Sequence, residues 1–143
     1  GDGPERGHLE QRAKALGLPV TFLGAIDHRE LPDVYRRSSV FLLTSANEGF
    51  GRVIVEAMLS SVPVVSVDVA GARELIRNGE TGRLVTTRNP HDIADAVIEI
   101  LSSSETASRL STNAFTFASG AYSFEAIARR LVDMWVRVAG ASQ

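Results

Sequence analysis

A chain of 143 residues, with 44% hydrophobic and 22% charged residues, has the composition of a globular protein of one ordinary domain that can bury a core. The formal net charge of −2 gives no electrostatic reason to expect nucleic acid as a partner, and the lack of cysteine excludes disulfides and thiolate chemistry. No apolar run approaches the roughly 20 residues that a membrane-spanning helix needs, and no leader pattern opens the chain, so we expect a cytoplasmic protein.

The N-terminal part of the sequence predicts two helices and one strand. Pro4 suits the first turn of a helix, and the apolar stripe that follows it ends at Gly17. The apolar run Val20–Leu23 predicts a strand, and Leu31–Arg37 predicts a second, short helix. Because Gly1–Pro4 is turn chemistry that normally follows a strand, we expect a strand and further chain before residue 1.

A strand, a glycine-containing loop and a helix follow one another in the middle of the chain. The apolar run Val40–Leu43 predicts a buried parallel strand, and Val53–Leu59, with Glu56 as its only polar residue, predicts a largely buried helix. Gly49 and Gly51 in the loop lack a Cβ, so a ligand can approach the backbone closely. Because the first turn of a helix leaves backbone N–H groups without partners, this order predicts an anion site.

Two carboxylates bracket the turn, Glu48 in the loop and Glu56 in the helix. A carboxylate repels phosphate, whereas its two oxygens match a pair of sugar hydroxyls. The pattern therefore predicts a site for a sugar nucleotide, with phosphate at the helix end and hydroxyls on either side. The structural alternative is that Glu48 only favours the helix dipole, and that Arg52 and Glu56 form an ordinary i,i+4 ion pair.

The second half of the sequence completes an α/β pattern. Val64–Val67 and Arg83–Val85 predict two further strands, with a helix over Ala72–Arg77 between them. Strands alternating with helices are typical of a Rossmann-like parallel sheet with helices on both faces, which is the fold we predict. Three helical segments then follow. The first begins at Pro90 with Asn89 as its cap, the second spans about Glu105–Ser119, and Ser123 caps the third.

The central stretch resembles the retaining GT-B glycosyltransferases, specifically glycosyltransferase family 4. The E-x7-E element of that family matches Glu48-Gly49-Phe50-Gly51 with Glu56-Ala57-Met58. The resemblance extends along almost the whole chain, and the order and spacing of its parts together make it specific. The further matches are Gly1–Arg6, Val20–Gly24, Leu31–Tyr35, Pro63–Val65, Ala70–Gly71, Glu74–Ile76 and Asn78–Val85.

The resemblance implies that residues 1–143 form the C-terminal, nucleotide-sugar-binding half of a GT-B fold, incomplete at its N-terminus. Enzymes of this family transfer a sugar from a nucleotide donor to an acceptor with retention of anomeric configuration. The implied partners are a nucleoside-diphosphate sugar and a missing N-terminal acceptor-binding domain, to which any peripheral membrane contact would belong. We therefore expect a hexosyltransferase as the full-length protein and no activity from this chain alone.

The resemblance also implies roles for individual residues. Glu48 is the expected catalytic residue beside the donor sugar, and Glu56 is expected to bind the ribose hydroxyls. The other expected donor contacts are Gly49, Phe50, Gly51, Arg52 and Val53 around the helix start, and the backbone of Gly24, Ala25 and Ile26 beside the base.

The sequence predicts no metal and no cofactor. It contains no Asp-x-Asp pair, and no His or Cys cluster has metal-ligand spacing, so we expect metal-independent transfer with the nucleotide sugar as substrate. Two alternatives to a transferase stay open: a non-catalytic nucleotide-sugar-binding module, and a GT-B-like sugar-nucleotide epimerase.

Overall fold

The computed structural model describes residues 2–140, which form three strands and seven helices. The chain divides into two compact units, one up to Val34 and one from Tyr35 onward. The strands are β1 (Phe41–Leu43), β2 (Val64–Val67) and β3 (Arg83–Val85). The helices are α1 (Arg6–Ala15), α2 (Leu31–Arg36), α3 (Arg52–Leu59), α4 (Ala70–Leu75), α5 (Pro90–Leu101), α6 (Ser104–Tyr122) and α7 (Phe124–Gly140).

The three strands form one parallel sheet in the order β1-β2-β3. Phe41 pairs with Val64, and Val65 pairs with Arg83. All four residues of β2 are buried, and because successive side chains of a strand point to opposite faces, both faces of this central strand are covered. The predicted bounds of β2 and β3 are confirmed, and β1 begins one residue later than predicted.

One part of the core lies where α5 and α6 pack against the sheet. Val65 and Val85 contribute from the strands, Ala96 and Ile100 from α5, and Leu110 from α6. The side chain of Leu110 is fully buried. Because α5 places one stripe of its surface on the sheet, its amphipathic sequence is explained by this contact.

The first unit differs from its prediction in two ways. Val20–Leu23 is not a strand, because a strand needs a neighbour with which to exchange backbone hydrogen bonds, and the Phe22 carbonyl instead accepts from the Arg6 guanidinium at 3.3 Å. Helix α1 begins at Arg6 rather than Pro4, and Leu9 and Leu16 on its predicted apolar face are 49% and 61% exposed.

Two helix caps are confirmed, and two helices have bounds that differ from the prediction. The Asn89 side chain accepts from the backbone N–H of His91 at 3.0 Å, and the Ser123 hydroxyl accepts from that of Ala126 at 3.2 Å. Helix α4 begins and ends two residues earlier than predicted, and its C-cap Ile76 is extended, with φ −105° and ψ 117°. Helix α6 continues past Ser119 to Tyr122.

We expect the Leu110→Ala variant to lose about 2–5 kcal/mol of unfolding free energy, because the substitution leaves a cavity between α6 and the sheet. Leu101→Ala is the matched control: Leu101 also lies on a core-facing helix but is 56% exposed, so its loss should stay within about 0.5 kcal/mol. Urea unfolding of both variants measures the difference, and equal losses would contradict the location of the core.

Candidate functional site

The loop between β1 and α3 and the first turns of α3 carry most of the predicted site residues. Its last residue, Gly51, is the N-cap of α3 and has a φ of +73°, in the left-handed region that favours glycine. A Cβ here would also lie 3.1 Å from both Ile54 Cδ1 and Leu75 Cδ1. Glycine is therefore required where the chain turns from the loop into the helix.

The loops that follow β1 and β2 meet through backbone atoms. The Gly71 N–H, in the first turn of α4, donates to the Glu48 carbonyl at 3.1 Å. A Cβ on Gly71 would lie 2.8 Å from that carbonyl oxygen and 3.0 Å from the Gly49 carbonyl oxygen, closer than real Cβ atoms approach backbone. Only glycine at this position allows α4 to start so close to the loop.

The half-buried Glu48 turns its carboxylate toward the start of α3. Its Oε1 accepts from the Gly51 N–H at 3.2 Å, an interaction that the helix dipole favours. This is the structural alternative raised from the sequence, and it means that one N–H of the turn is already in use. A carboxylate has about four lone-pair sites, so a single N–H leaves it capacity for a hydroxyl.

The carboxylate of Glu56 is held between a phenol and a guanidinium. Tyr35 donates its hydroxyl to Glu56 Oε2 at 3.2 Å, and Arg52 Nη2 lies 3.9 Å from Glu56 Oε1. The Glu56 side chain is 26% exposed, so the carboxylate is reachable although most of the side chain is covered. The predicted i,i+4 pair with Arg52 is present, but the closer partner is Tyr35.

Tyr35 contacts a predicted site residue, Glu56, and the sequence analysis assigned it no role. It is 8% exposed, and its ring meets the edge of Phe41 with centroids 5.7 Å apart. Burial, followed by the charge and hydrogen bond of Glu56, raises the pKa of Tyr35 to about 12, so the phenol remains a donor at neutral pH. A charged residue in an apolar helix needs a polar partner, so the sequence indicated that Glu56 has one without identifying it as Tyr35.

The loop after β3 also contacts the loop between β1 and α3. Arg88 Nη2 donates to the Ala46 carbonyl at 2.9 Å. Since Gly71 follows β2 and Ala46 follows β1, segments behind the carboxyl ends of all three strands converge here. In open α/β sheets this edge is where ligands bind.

Seven of the predicted site residues thus lie on one loop and the first two turns of α3, and the three others lie in the first unit. The Ala25 N–H donates to the Asp2 carboxylate at 2.8 Å, so this N–H is committed to a contact within the unit. The pKa of Asp2 is lowered by its bond with Arg6 and by the Ala25 N–H. Base contacts of Gly24, Ala25 and Ile26 stay a prediction.

Residues 2–140 contain no grouping of three or more His, Cys, Asp or Glu side chains that could hold a metal ion. In the same part of the chain, no helix combines the length and the apolar character needed to cross a bilayer.

Residues 1–117 match the family model described as glycosyl transferases group 1. The chain is 34% identical over 137 residues to the alpha-D-kanosaminyltransferase of Streptomyces kanamyceticus, a similarity that covers 94% of this chain and 36% of that protein. The chain therefore spans about a third of the length of the curated relatives that it matches.

Solved structures agree with the sequence comparison. Sucrose-phosphate synthase from Thermosynechococcus elongatus superposes with a TM-score of 0.86 at 31% identity, over 99% of this chain and 36% of that one. The Anabaena protein HepE, in complex with UDP-glucose, gives 0.84 at 30% identity, over 96% of this chain and 38% of that one. The predicted fold, a Rossmann-like half of a GT-B architecture, is confirmed. Because the family model covers 117 of the 143 residues, the chain belongs to the glycosyl transferases group 1 family.

Proposed function

We propose that residues 1–143 form the donor-binding domain of a retaining glycosyltransferase, which transfers a hexosyl unit from a nucleoside-diphosphate sugar to an acceptor. The observation that carries this proposal is the Glu56 carboxylate, held by Tyr35 beside a glycine loop that opens a helix. The likeness to HepE supports the class of ligand, because that protein was solved with UDP-glucose bound.

The start of α3 supplies the contacts that a diphosphate needs. The first turn of a helix has N–H groups without intrahelical acceptors, and here these include the N–H groups of Arg52 and Val53. With the Gly51 N–H engaged by Glu48, the diphosphate would be received by these later N–H groups and by the dipole of the helix. The exposed Arg52 guanidinium adds a positive charge beside them.

Glu56 has the arrangement expected of a receptor for the ribose diol. The ionised carboxylate accepts hydrogen bonds through two oxygens, which matches two neighbouring hydroxyls. Tyr35 fixes the plane of the carboxylate before the ligand arrives, so less side-chain freedom is lost on binding. This orientation is the contribution that we assign to Tyr35.

Glu48 takes the position next to the reacting sugar in this proposal. Transfer breaks the bond between the anomeric carbon and the diphosphate oxygen, which releases the nucleoside diphosphate, and forms a bond to the acceptor oxygen. The acceptor's proton passes to the released diphosphate or to solvent. The negative charge of Glu48 favours positive charge that develops on the sugar ring. The acceptor would be held by a further domain, so residues 1–143 alone are expected to be inactive as a transferase.

We expect calorimetry on the full-length protein to show binding of at least one of UDP, GDP and ADP. Glu56→Gln should weaken that binding about tenfold or more, because the amide removes charge-assisted acceptors. Glu99→Gln is the matched control, since Glu99 is also paired with an arginine, Arg83, at 2.9 Å but lies on α5. No heat with any nucleotide, or an unchanged affinity for Glu56→Gln, would reject the assignment.

Tyr35→Phe should weaken nucleotide binding about two- to tenfold, because it removes the hydrogen bond that orients Glu56 and keeps the ring that packs on Phe41. Tyr122→Phe removes the hydroxyl of a tyrosine that is not bonded to Glu56 in the described residues, and it should bind as the parent protein does. Equal affinities for all three proteins would show that Tyr35 does not position Glu56.

Titration of Tyr35 gives an independent measurement of the same contact. Its pKa rises from an ordinary 10.0 to about 12 in the folded protein, so folding favours the protonated phenol. This contribution to stability is complete below pH 10 and is lost as the pH rises through about 12. Ultraviolet absorbance should therefore show a late phenolate transition that is missing from Tyr35→Phe, and a transition that survives the substitution would contradict the assignment.

A further inference from the structure

A row of aromatic contacts joins the loop between β1 and α3, here called the donor loop, to the end of α6. The rings of Phe50 and Tyr122 meet edge to face, with centroids 5.7 Å apart and planes at 71°. The rings of Tyr122 and Phe117 meet in the same way, at 5.9 Å and 73°. The Arg77 guanidinium carbon lies 5.1 Å from the centre of the Phe117 ring. Both ring pairs have the geometry that aromatic side chains prefer.

Phe50 is the side chain by which this loop can be held. It lies between Gly49 and Gly51, and glycine has more backbone freedom than any other residue, so the loop needs an external anchor. Two of the described contacts hold the backbone from outside the loop, one from the Gly71 N–H to the Glu48 carbonyl and one from Arg88 to the Ala46 carbonyl. Both act before the Gly-Phe-Gly segment, and within that segment the Gly51 N–H bonds to Glu48 of the same loop. The Tyr122 ring is the contact that reaches the segment from another element.

Tyr122 is placed on a rigid support. It is the last residue of a 19-residue helix whose Leu110, Ala114 and Ala118 are buried. The next residue, Ser123, caps α7 with its hydroxyl, so the chain direction after Tyr122 is also fixed. A ring on such a support holds Phe50 without a large loss of side-chain freedom when ligand binds.

We propose that Tyr122 is a positioning residue of the donor site, which holds Phe50 and thereby the backbone between the Glu48 carboxylate and the first N–H groups of α3. The inference rests on the proposed function for its consequence, weaker donor binding. Its structural part, the anchoring of the loop, stands on the ring contacts alone.

The exposure of Phe50 distinguishes this role from that of a core residue. Phe50 is 45% exposed whereas Leu110 is fully buried, so less apolar surface returns to water when Phe50 loses its contacts. Loss of the pair should therefore act on the order of the loop more than on the melting temperature of the protein. Local opening of such a segment is measured by hydrogen exchange.

The test compares Tyr122→Leu, which removes the ring, with Tyr122→Phe, which keeps it, in the full-length protein. Phe115→Leu is the matched control, because Phe115 lies on the same helix, is 44% exposed and is outside the row of contacts. Tyr122→Leu should bind the nucleotide preferred by the parent protein about three- to tenfold more weakly. Its amides in residues 49–53 should also exchange faster. Tyr122→Phe and Phe115→Leu should match the parent in both measurements.

A double-mutant cycle with Phe50→Leu provides the second readout. If the two rings act through each other, Phe50→Leu should accelerate exchange as Tyr122→Leu does, and the double variant should lose little more than either single one. Additive losses, or exchange unchanged by removal of either ring, would overturn the proposal. Should Tyr122→Leu fail to fold, normal exchange in folded Phe50→Leu overturns it equally.

The two proposals fail in different ways. A parent protein that binds no nucleotide rejects the donor site, while exchange in residues 49–53 still decides whether Tyr122 anchors the loop. A parent protein that binds nucleotide, together with Tyr122→Leu at full affinity, rejects the positioning role and leaves the donor site in place.

Discussion

The site depends on one backbone hydrogen bond, from the Gly71 N–H to the Glu48 carbonyl at 3.1 Å. It joins the loops that follow two neighbouring parallel strands, and any side chain on Gly71 would collide with the carbonyls of Glu48 and Gly49. Because the bond fixes the loop just before it turns at Gly51, it also fixes the start of α3. The carboxylate of Glu48 and the first helical N–H groups take their positions from this contact.

A second constraint is the charge of Glu56 in an otherwise apolar helix. Three of its immediate neighbours in α3, Val55, Ala57 and Met58, are buried, so an unpartnered carboxylate would be costly there. Tyr35 supplies the partner from α2, and the arrangement leaves the Glu56 side chain partly exposed. In the proposed function, the same bond that makes the charge tolerable would also orient the carboxylate for the ribose hydroxyls, which links stability and binding.

The contacts that hold the loop between β1 and α3 come from different parts of the second unit. Gly71 belongs to the start of α4, Arg88 to the segment after β3, and Tyr122 to the end of α6. A loop rich in glycine can approach a ligand closely but is poorly ordered by itself. Several contacts from rigid elements let it remain rich in glycine and still present its groups in fixed places, as electrostatic preorganisation requires.

The local sequence pattern was enough to predict several features of this protein. Apolar runs gave the bounds of β2 and β3, the glycine loop and paired glutamates gave the candidate site, and the motif order gave the family. The tertiary structure decided the features that depend on residues far apart in the chain, namely strand pairing and contacts between elements. Val20–Leu23 has strand composition but is not a strand, because pairing and not composition makes one. Tyr35 and Glu56 are 21 residues apart, and Phe50 meets Tyr122 only after α6 has packed. Sequence periodicity reports which face of an element is apolar, whereas contacts between elements exist only once those faces have been buried.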